Sequence, residues 1–373
     1  MRLQRRAGAI ALLVTCALAG QAGSSPPAAA SSLGIRASGP FLVSATGEAL
    51  RLAGVNRSGT EYACVQGHGI YDGPSDVASI AAMAAWHVNS VRVPLNEDCW
   101  LGINGVPAAY GGAAYQAAIQ QYVSLLHQQG LYVILDLHWA APGTVPATRQ
   151  LAMADADHAP AFWSSVATTF AADPAVIFDL YNEPHIETGN AETSDPWTCW
   201  RDGCAIDPGD GVGTAWRSAG MQQLVDAVRT TGARQVVLAS GLANANDMSG
   251  WLTHRPSDPA GQLAASLHMY NFTTCSDGPC WAAQVAPVAA WVPVITGELG
   301  EDDCAGDFID RYMAWADLKG VSYAAWTWDT WDCRSGPALI SDYAGTPTAF
   351  GAAYRDHLAS PPISLWSTVR RLR

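Results

Sequence analysis

Two glutamates that follow apolar runs are the first candidates for chemistry in this sequence. The stretch FDLYNEPH, residues 178–185, begins with apolar residues typical of a buried strand and ends with Glu183, Pro184 and a histidine. Pro184 ends the pairing of such a strand because it has no backbone N–H. A carboxylate at the mouth of a buried strand loses solvation, so Glu183 belongs either to a satisfied ion pair or to a working site. The stretch TGELG, residues 296–300, places Glu298 in the same way.

A pair of carboxyl groups on opposite sides of one cleft fits the chemistry of glycoside hydrolysis. One carboxylic acid protonates the leaving oxygen, and the other carboxylate meets the carbon that becomes cationic. For this chemistry, the strand that ends at Glu183 and the strand that ends at Glu298 must reach the same face of the fold.

Strand-like and helix-like runs alternate along the chain and supply such elements. Eight runs have the length and the apolar, partly β-branched character of strands. They are residues 50–56, 88–95, 131–138, 176–183, 235–240, 264–270, 292–298 and 321–328. Runs with apolar residues every three or four positions predict helices at 79–86, 114–129, 161–172, 214–231 and 308–318. A last helix is predicted at 347–357, with Thr346 as its cap and Pro347 at its first position.

Repeated strand–helix alternation predicts an α/β fold with a parallel sheet, and eight such strands close into a (β/α)8 TIM barrel. A doubly wound open sheet is the alternative, but no glycine-rich phosphate turn follows the first predicted strand. We expect one domain over residues 31–359, followed by a C-terminal tail at 360–373.

The C-terminal ends of the predicted strands carry further polar and aromatic residues, and in a parallel barrel these ends share one rim. Each residue alone has a structural explanation, such as an ion-pair donor or a satisfied core histidine. Their convergence on one rim is the evidence for a site. They are Arg92, His138, Trp139, Asn182, His268, Tyr270, Trp326 and Trp328.

Several of these residues have an expected contact with the glutamates or with a sugar. We expect Arg92 and Tyr270 to hydrogen-bond Glu298 and hold it ionised. We expect His268 to contact Glu183. Asn182 is expected to reach a sugar 2-hydroxyl, and Trp328 or Trp326 is expected to form the floor under the ring next to the cleaved bond.

In combination, these residues resemble glycoside hydrolase family 5, the cellulase-like group of barrel enzymes. The similarity spans residues 35–358, and the strings FDLYNEPH, WTCWRDGC and TGELG resemble secreted actinobacterial endoglucanases of that family. The resemblance implies a retaining mechanism with Glu183 as acid/base and Glu298 as nucleophile, their carboxyl groups about 5 Å apart. It implies no metal and no organic cofactor.

The resemblance implies a β-glucan or related polysaccharide as the substrate of a secreted β-glycosidase. Exo-acting β-glycosidases, β-mannanases and β-mannosidases of the same family are the alternatives. A carbohydrate-binding barrel without activity is less favoured because both glutamates are present. A metal-dependent hydrolase is disfavoured because the histidines come from different strands without a spaced ligand pair, and because Arg92 would repel a cation.

Eight cysteines remain when the N-terminal segment is set aside, and they fall as close neighbours. Eight cysteines allow about 105 pairings. We expect local disulfides rather than a metal cluster, because no Cys-x-x-Cys occurs and export favours oxidation. The expected pairs are Cys64–Cys99, Cys199–Cys204, Cys275–Cys280 and Cys304–Cys333.

The N-terminus and the charge of the chain indicate where it works. Residues 1–30 contain three arginines, an apolar run and small residues, which is the pattern of a secretory signal peptide. The formal net charge is −13 and becomes −16 when three arginines leave (−13 − 3). An acidic surface disfavours nucleic acid and anionic membranes. We therefore expect a secreted extracellular protein. The resemblance implies a carbohydrate as its partner, and we expect a monomer.

Overall fold

The structure is a computed structural model that describes residues 33–187, 189, 191–207, 212–333 and 335–359. The predicted signal peptide and the tail at 360–373 lie outside these residues. The described residues belong to one unit that begins at Leu33.

Fifteen short and long strands are present in the described part of the chain. In chain order they are β1 (Ile35–Ser38), β2 (Phe41–Ser44), β3 (Ala49–Leu50), β4 (Ala53–Asn56), β5 (Ser90–Asn96), β6 (Tyr132–Trp139), β7 (Val176–Asp179), β8 (Ala205–Ile206), β9 (Trp216–Arg217), β10 (Val237–Ser240), β11 (Leu263–Tyr270), β12 (Val294–Gly300), β13 (Ser322–Ala325), β14 (Ile340–Asp342) and β15 (Thr346–Pro347).

Helical segments follow most of the long strands. They are α1 (Val77–Ala84), α2 (Glu97–Leu101), α3 (Ala113–Gln128), α4 (Ala159–Thr169), α5 (Pro196–Asp202), α6 (Met221–Thr230), α7 (Leu242–Ala245), α8 (Trp251–His254), α9 (Gly278–Cys280), α10 (Ala286–Ala289), α11 (Asp307–Lys319) and α12 (Ala349–Ala359), with a π-helical turn at Trp281–Val285. Within these described segments, none is long and apolar enough to cross a membrane.

Eight strands form a closed parallel barrel in the order β4, β5, β6, β7, β10, β11, β12 and β13, with β13 pairing again with β4. The predicted (β/α)8 barrel is therefore confirmed. Its strands are buried on both faces, which explains why their sequences read as continuous apolar runs rather than alternating ones.

A small antiparallel sheet at the start of the unit, β1–β2–β3, closes the N-terminal end of the barrel. The backbone N–H of Ile35 donates to the carbonyl of Pro174, just before β7. Ile35 and Leu42 pack with Ile134, Ile177 and other residues at the starts of the barrel strands. Because this sheet covers the N-terminal end of the barrel, we expect the functional site at the opposite, C-terminal end.

Some boundaries differ from the predicted ones for identifiable reasons. The first predicted strand divides, because Leu50 pairs in the small sheet and the barrel strand starts at Ala53. The fourth ends at Asp179 rather than at residue 183, although the N–H of Asn182 still donates to the carbonyl of Leu137. The predicted helix at 214–231 begins only at Met221.

The predicted cap of the last helix is wrong by two residues. Thr346 and Pro347 form β15, which pairs with β14. Pairing with β14 uses Thr346 and Pro347 as strand residues, so the helix starts further on. The Thr348 hydroxyl accepts a hydrogen bond from the N–H of Gly351 and caps α12.

All four predicted disulfides are present and join segments that follow the C-terminal ends of barrel strands. Cys64–Cys99 connects the segment after β4 with α2, and Cys304–Cys333 connects the segments after β12 and β13. The other two, Cys199–Cys204 and Cys275–Cys280, close short turns. The disulfides therefore hold the loops around the open end of the barrel.

Candidate active site

A fully buried arginine on β5 organises the centre of the open end. The Arg92 guanidinium forms ion pairs of 3.0–3.1 Å with Asp136, Asp179 and Glu298. It also donates to the side-chain oxygens of Asn56 and Asn182, at 3.1 and 2.8 Å. One cation therefore fixes five side chains that come from the ends of four strands, β4, β6, β7 and β12.

Glu298 lies on β12 beside Arg92 and is almost completely buried. The phenol of Tyr270 donates to its second oxygen, Oε2, at 2.7 Å. This contact follows from the register of β11 and β12. His268 pairs with Glu298, and two residues further on Tyr270 pairs with Gly300, so Tyr270 and Glu298 are diagonal neighbours. Two donors, one of them charged, thus hold both oxygens of this carboxylate and fix its orientation.

Glu183 follows β7 and is more open, with 23 % of its side chain exposed. Its Oε1 lies 2.9 Å from Nδ1 of His268, and its Oε2 accepts from Nδ2 of Asn244 at 3.5 Å. Burial raises the pKa of the Glu183 carboxyl above its ordinary value. The two glutamates therefore have different environments: two donors orient both oxygens of Glu298, whereas burial holds Glu183 nearer to its protonated form.

The two carboxyl groups face each other at short range. Oxygen atoms of Glu183 and Glu298, together with a ring nitrogen of His268, lie within 4.8 Å of one another. Retaining glycosidases have carboxyl groups about 5–5.5 Å apart, and inverting ones need about 6.5–9.5 Å for a water molecule. The three groups are close enough to be metal ligands, but the Arg92 cation beside Glu298 opposes a second cation there.

Two histidines at the site are kept neutral by burial. Burial lowers the pKa of His268 to about 3 and that of His138 to about 4. His138 Nδ1 lies 2.6 Å from Asp136, and its other ring nitrogen lies 3.4 Å from the amide nitrogen of Asn182. A neutral His138 that donates to Asp136 therefore presents an acceptor to Asn182.

The Asn182 amide has a defined orientation. Its oxygen accepts from Arg92, and its nitrogen donates to the side-chain oxygen of Gln150 at 3.1 Å. The nitrogen also lies beside His138, so its two hydrogens are directed at Gln150 and His138.

Partly exposed aromatic rings form a continuous wall on the side of the site near β4, β6 and β13. Trp326 stacks on His138 with centroids 5.5 Å apart, and Trp331 lies 6.3 Å from Trp326. Tyr62 lies 6.3 Å from Trp331 and 6.4 Å from Trp139. Such rings offer flat apolar faces with polar edges, which suits a sugar ring.

Two of the predicted substrate contacts are corrected by the structure. Trp328 is completely buried and packs edge-on against Trp86 at 4.8 Å, so it is part of the core and not a surface for sugar. Arg92 is also fully buried beneath the carboxylates and orients Glu298 and Asn182 without an exposed atom for substrate. Trp326, which follows β13 and is joined to Thr327 by a cis peptide bond, is the partly exposed member of the pair of tryptophans.

Several residues at the site were not predicted. Asp136 and Asp179 stand within apolar strands, where an acidic residue is itself a signal of a buried ion pair. Tyr62, Trp331 and Asn244 come from loops, where sequence periodicity does not indicate the direction in which a side chain points.

Comparison with known proteins identifies the family. The family model described as Cellulase (glycosyl hydrolase family 5) matches residues 43–332, which covers most of the chain and all the site residues above. The chain belongs to glycosyl hydrolase family 5.

Relatives in the family are similar at low identity. The chain is 23 % identical to endoglucanase CelA of Streptomyces lividans over 271 residues, 66 % of this chain and 50 % of that protein. It thus spans half the length of that relative. It is 26 % identical to a mannan endo-1,4-beta-mannosidase of the same organism over 324 residues, 84 % of this chain and 70 % of that protein.

A solved structure shares the fold. The beta-glucanase of Saccharophagus degradans, determined alone and in complex with cellotetraose, superposes with a TM-score of 0.66 at 22 % identity. The match covers 88 % of this chain and 93 % of that one.

Proposed function

We propose that the protein is a secreted, retaining β-glycoside hydrolase with Glu183 as acid/base and Glu298 as nucleophile. The observation that carries this proposal is the short separation of two carboxyl groups whose surroundings differ in the required direction. The family membership of the chain supports it.

In the first step, Glu183 gives its proton to the glycosidic oxygen while Glu298 attacks the anomeric carbon. The bond from that carbon to the leaving oxygen breaks, and an ester to Glu298 forms. Burial of the Glu183 carboxyl keeps the proton available, and Arg92 and Tyr270 hold the attacking carboxylate in place.

In the second step, Glu183 takes a proton from water as the water oxygen attacks the same carbon. The ester bond breaks and Glu298 leaves as a carboxylate, so two inversions give net retention. In its Nδ1–H tautomer, His268 donates to Glu183 and stabilises the ionised form that this step needs. In this proposal Asn182 exchanges its contact with Gln150 for a hydroxyl of the reacting sugar, and Trp326, which is partly exposed, stacks beside that sugar.

We propose a β-1,4-glucan as substrate, cleaved within the chain. An endoglucanase among the relatives and a beta-glucanase among the structural neighbours support this choice. A β-mannan is the second candidate, because the relative that aligns over the larger share of this chain is a mannosidase. The signal-like residues 1–30 and the four disulfides support secretion, and we propose that the protein acts there as a monomer.

A panel of soluble polysaccharides tests the reaction and the substrate together. Carboxymethyl cellulose and galactomannan are incubated with the enzyme, and the product sizes and the anomer first released are recorded by chromatography and proton NMR. We expect short β-glucan oligosaccharides with the β-anomer first. The α-anomer first would refute retention, and cleavage of galactomannan alone would replace glucan by mannan.

The covalent step has its own test. A 2-fluoro glycoside with a good leaving group should trap the ester, and peptide mass spectrometry should locate the label on Glu298. A label on another carboxylate would remove this residue from the role.

A further inference from the structure

Two carboxyl groups outside the catalytic pair, those of Glu97 and Asp155, are completely buried and in hydrogen-bond contact with each other. One oxygen of each accepts backbone N–H groups. Oε1 of Glu97 accepts from Ala141 at 3.3 Å, and Oδ1 of Asp155 accepts from Asp157 and His158 at 2.9 and 2.7 Å. The other oxygens, Oε2 of Glu97 and Oδ2 of Asp155, are buried and have no donor among the described residues.

The contact between these carboxyl groups requires a positive partner. Two ionised carboxylates have no hydrogen to share and repel each other, so either a proton or a metal cation must lie between them. Within the described part of the chain, the group of three or more residues that could hold a metal is Glu183, His268 and Glu298, and it includes neither Glu97 nor Asp155. A single shared proton turns one of the two oxygens into a donor and satisfies both.

The charged groups around the pair favour retention of that proton. Burial raises the pKa of Glu97 well above its ordinary value, and the carboxyls of Asp155 and Asp98 raise it further. Burial also raises the pKa of Asp155, against the hydrogen bonds that it accepts and against the nearby His158. The elements packed on α2 add Arg92 on β5, Asp136 and His138 on β6 and His127 on α3, whereas α4 has no charged side chain. Arg149, Asp157 and Arg217, which are near Asp155 in the chain or beside its bridge partner Ser218, are exposed.

Glu97 joins the two ends of the β6–α4 loop, residues 140–158. It is the first residue of α2, and its carboxyl contacts Ala141 near the start of the loop and Asp155 near the end. The helices on either side pack together, with the rings of Trp100 on α2 and Phe162 on α4 6.0 Å apart. One side chain on a packed helix therefore closes the loop.

The middle of the β6–α4 loop supports the segment that carries Glu183. Hydrogen bonds of 2.9–3.2 Å join residues 150–152 to residues 181–185. They run from the Tyr181 hydroxyl to the Leu151 carbonyl, from Asn182 Nδ2 to Gln150 Oε1, from Gln150 Nε2 to the Glu183 carbonyl, and from the His185 N–H to the Ala152 carbonyl. Because the Glu183 carbonyl is itself an acceptor, displacement of the loop would move the backbone of the proposed acid/base.

We propose that Glu97 and Asp155 share one proton near neutral pH, that this proton closes the β6–α4 loop against the segment that carries Glu183, and that its loss at alkaline pH opens the loop. On opening, the proton passes to hydroxide and leaves two buried carboxylates that repel each other. Since the folded pair keeps a proton that unfolded carboxyls release at lower pH, its contribution to stability is complete in acid and is lost as pH rises through the raised pKa. The effect of opening on turnover rests on the proposed function, whereas the shared proton does not.

Glu97→Gln tests the shared proton because it keeps both contacts without a titrating group. Its amide oxygen can accept from Ala141, and its amide N–H can donate to Asp155. Hydrogen exchange of peptides from residues 140–158, followed by mass spectrometry and corrected for the intrinsic rate, is measured from about pH 6 to 9. In the wild type we expect protection to fall with rising pH, by up to about tenfold per pH unit, the limit for one proton. In Glu97→Gln protection should stay constant.

Asp157→Asn is the matched control, because it neutralises an exposed carboxylate of the same loop. It should follow the wild type. Equal pH dependence in the wild type and in Glu97→Gln, including no dependence in either, would overturn the proposal. Asp155→Asn repeats the test from the other side of the pair, since its amide can donate to Glu97, and a pH dependence like that of the wild type in this variant would also overturn it.

Turnover of a dinitrophenyl glycoside tests the link to Glu183. Its leaving group needs no proton, so kcat does not fall merely because Glu183 ionises. We expect kcat of the wild type to fall over the pH range in which the loop loses protection, and kcat of Glu97→Gln to stay constant there. A parallel fall in both proteins would refute the link between the loop and catalysis. No turnover of any glycoside by either protein would instead refute the proposed function, and the exchange measurement would still decide whether the proton is shared.

Discussion

Replacement of Glu183 by alanine should separate the two steps of the reaction by their need for a proton. The wild-type carboxyl lies 2.9 Å from His268 Nδ1 and is partly open to solvent. Alanine removes the carboxyl group and leaves a space that opens to the cleft. Substrates with sugar leaving groups should then lose the acid, whereas dinitrophenyl glycosides need none in the first step.

The expected magnitude follows from the absence of a substitute acid among the described neighbours. His268 is neutral, with a pKa lowered to about 3, and Glu298 is consumed as the nucleophile. General acid–base catalysis contributes about 10²–10⁴-fold, which corresponds to roughly 3–5 kcal/mol of activation free energy. We expect a loss in this range for cellotetraose.

The assay for the second step uses a dinitrophenyl glycoside with and without azide. The Ala variant should form the ester rapidly, show a burst of dinitrophenol and then turn over slowly, because water lacks its base. Azide needs no base and fits the vacated space, so it should restore turnover and give the β-glycosyl azide. Failure of azide to restore turnover, or an α-azide product, would refute the assignment of Glu183.

The Glu183→Ala variant should also differ from the wild type in the pH dependence of kcat/KM. In the wild type, kcat/KM should fall as pH rises through the raised pKa of Glu183, since the acid must be protonated. In the Ala variant with an activated substrate, this alkaline limb should be absent. Glu192→Ala removes an exposed carboxylate from the loop between β7 and α5, the loop that also carries Glu183, and should keep the wild-type profile.

Three further predictions follow from the site and its supports. Glu298→Gln keeps the shape and loses the nucleophile, so turnover of both natural and dinitrophenyl substrates should fall by several orders of magnitude; near wild-type rates on either would contradict the role. Glu61 is buried and burial raises its pKa to about 8, so its contribution to stability is complete below pH 4.5 and is lost as pH rises through about 8. Glu61→Gln should therefore unfold in urea like the wild type at pH 5 and be more stable at pH 9, by up to a few kcal/mol; equal stability of the two proteins at pH 9 would show that burial does not raise the pKa of Glu61. Alanine at both ends of the Cys64–Cys99 disulfide, which are 35 residues apart, should lower the free energy of unfolding by about 4 kcal/mol, and an unchanged urea midpoint would exclude that contribution.

The parts of the site that the sequence predicted are those fixed by strand direction. Parallel strands bring their C-terminal ends to one rim, so Glu183, His268, Tyr270 and Glu298 follow from counting residues along apolar runs. Even the contact between Tyr270 and Glu298 is a matter of register between adjacent strands. Periodicity carries this information because each strand has only one way to lie in a closed parallel barrel.

The residues that were missed depend on the path of loops. Trp326 and Trp328 follow the same strand two positions apart, yet one is partly exposed and the other is buried against Trp86. The spacing of apolar residues in the sequence does not determine which of these two tryptophans packs into the core. Tyr62 and Asn244 reach the site through hydrogen-bonded turns whose conformations depend on contacts distant in sequence.

The buried charges at the barrel centre explain why acidic residues stand in apolar strands next to Glu298. Arg92 carries one positive charge among Asp136, Asp179 and Glu298, so the cluster cannot be neutral with all three carboxylates ionised. Burial raises the pKa of both aspartates to about 7, against the opposing effect of Arg92. Near neutral pH the aspartates therefore carry protons for part of the time, and the guanidinium remains available to the third carboxylate, which Tyr270 also contacts. Acidic residues in apolar strands, which are unfavourable as core residues, thus fix the Arg92 side chain that orients Glu298.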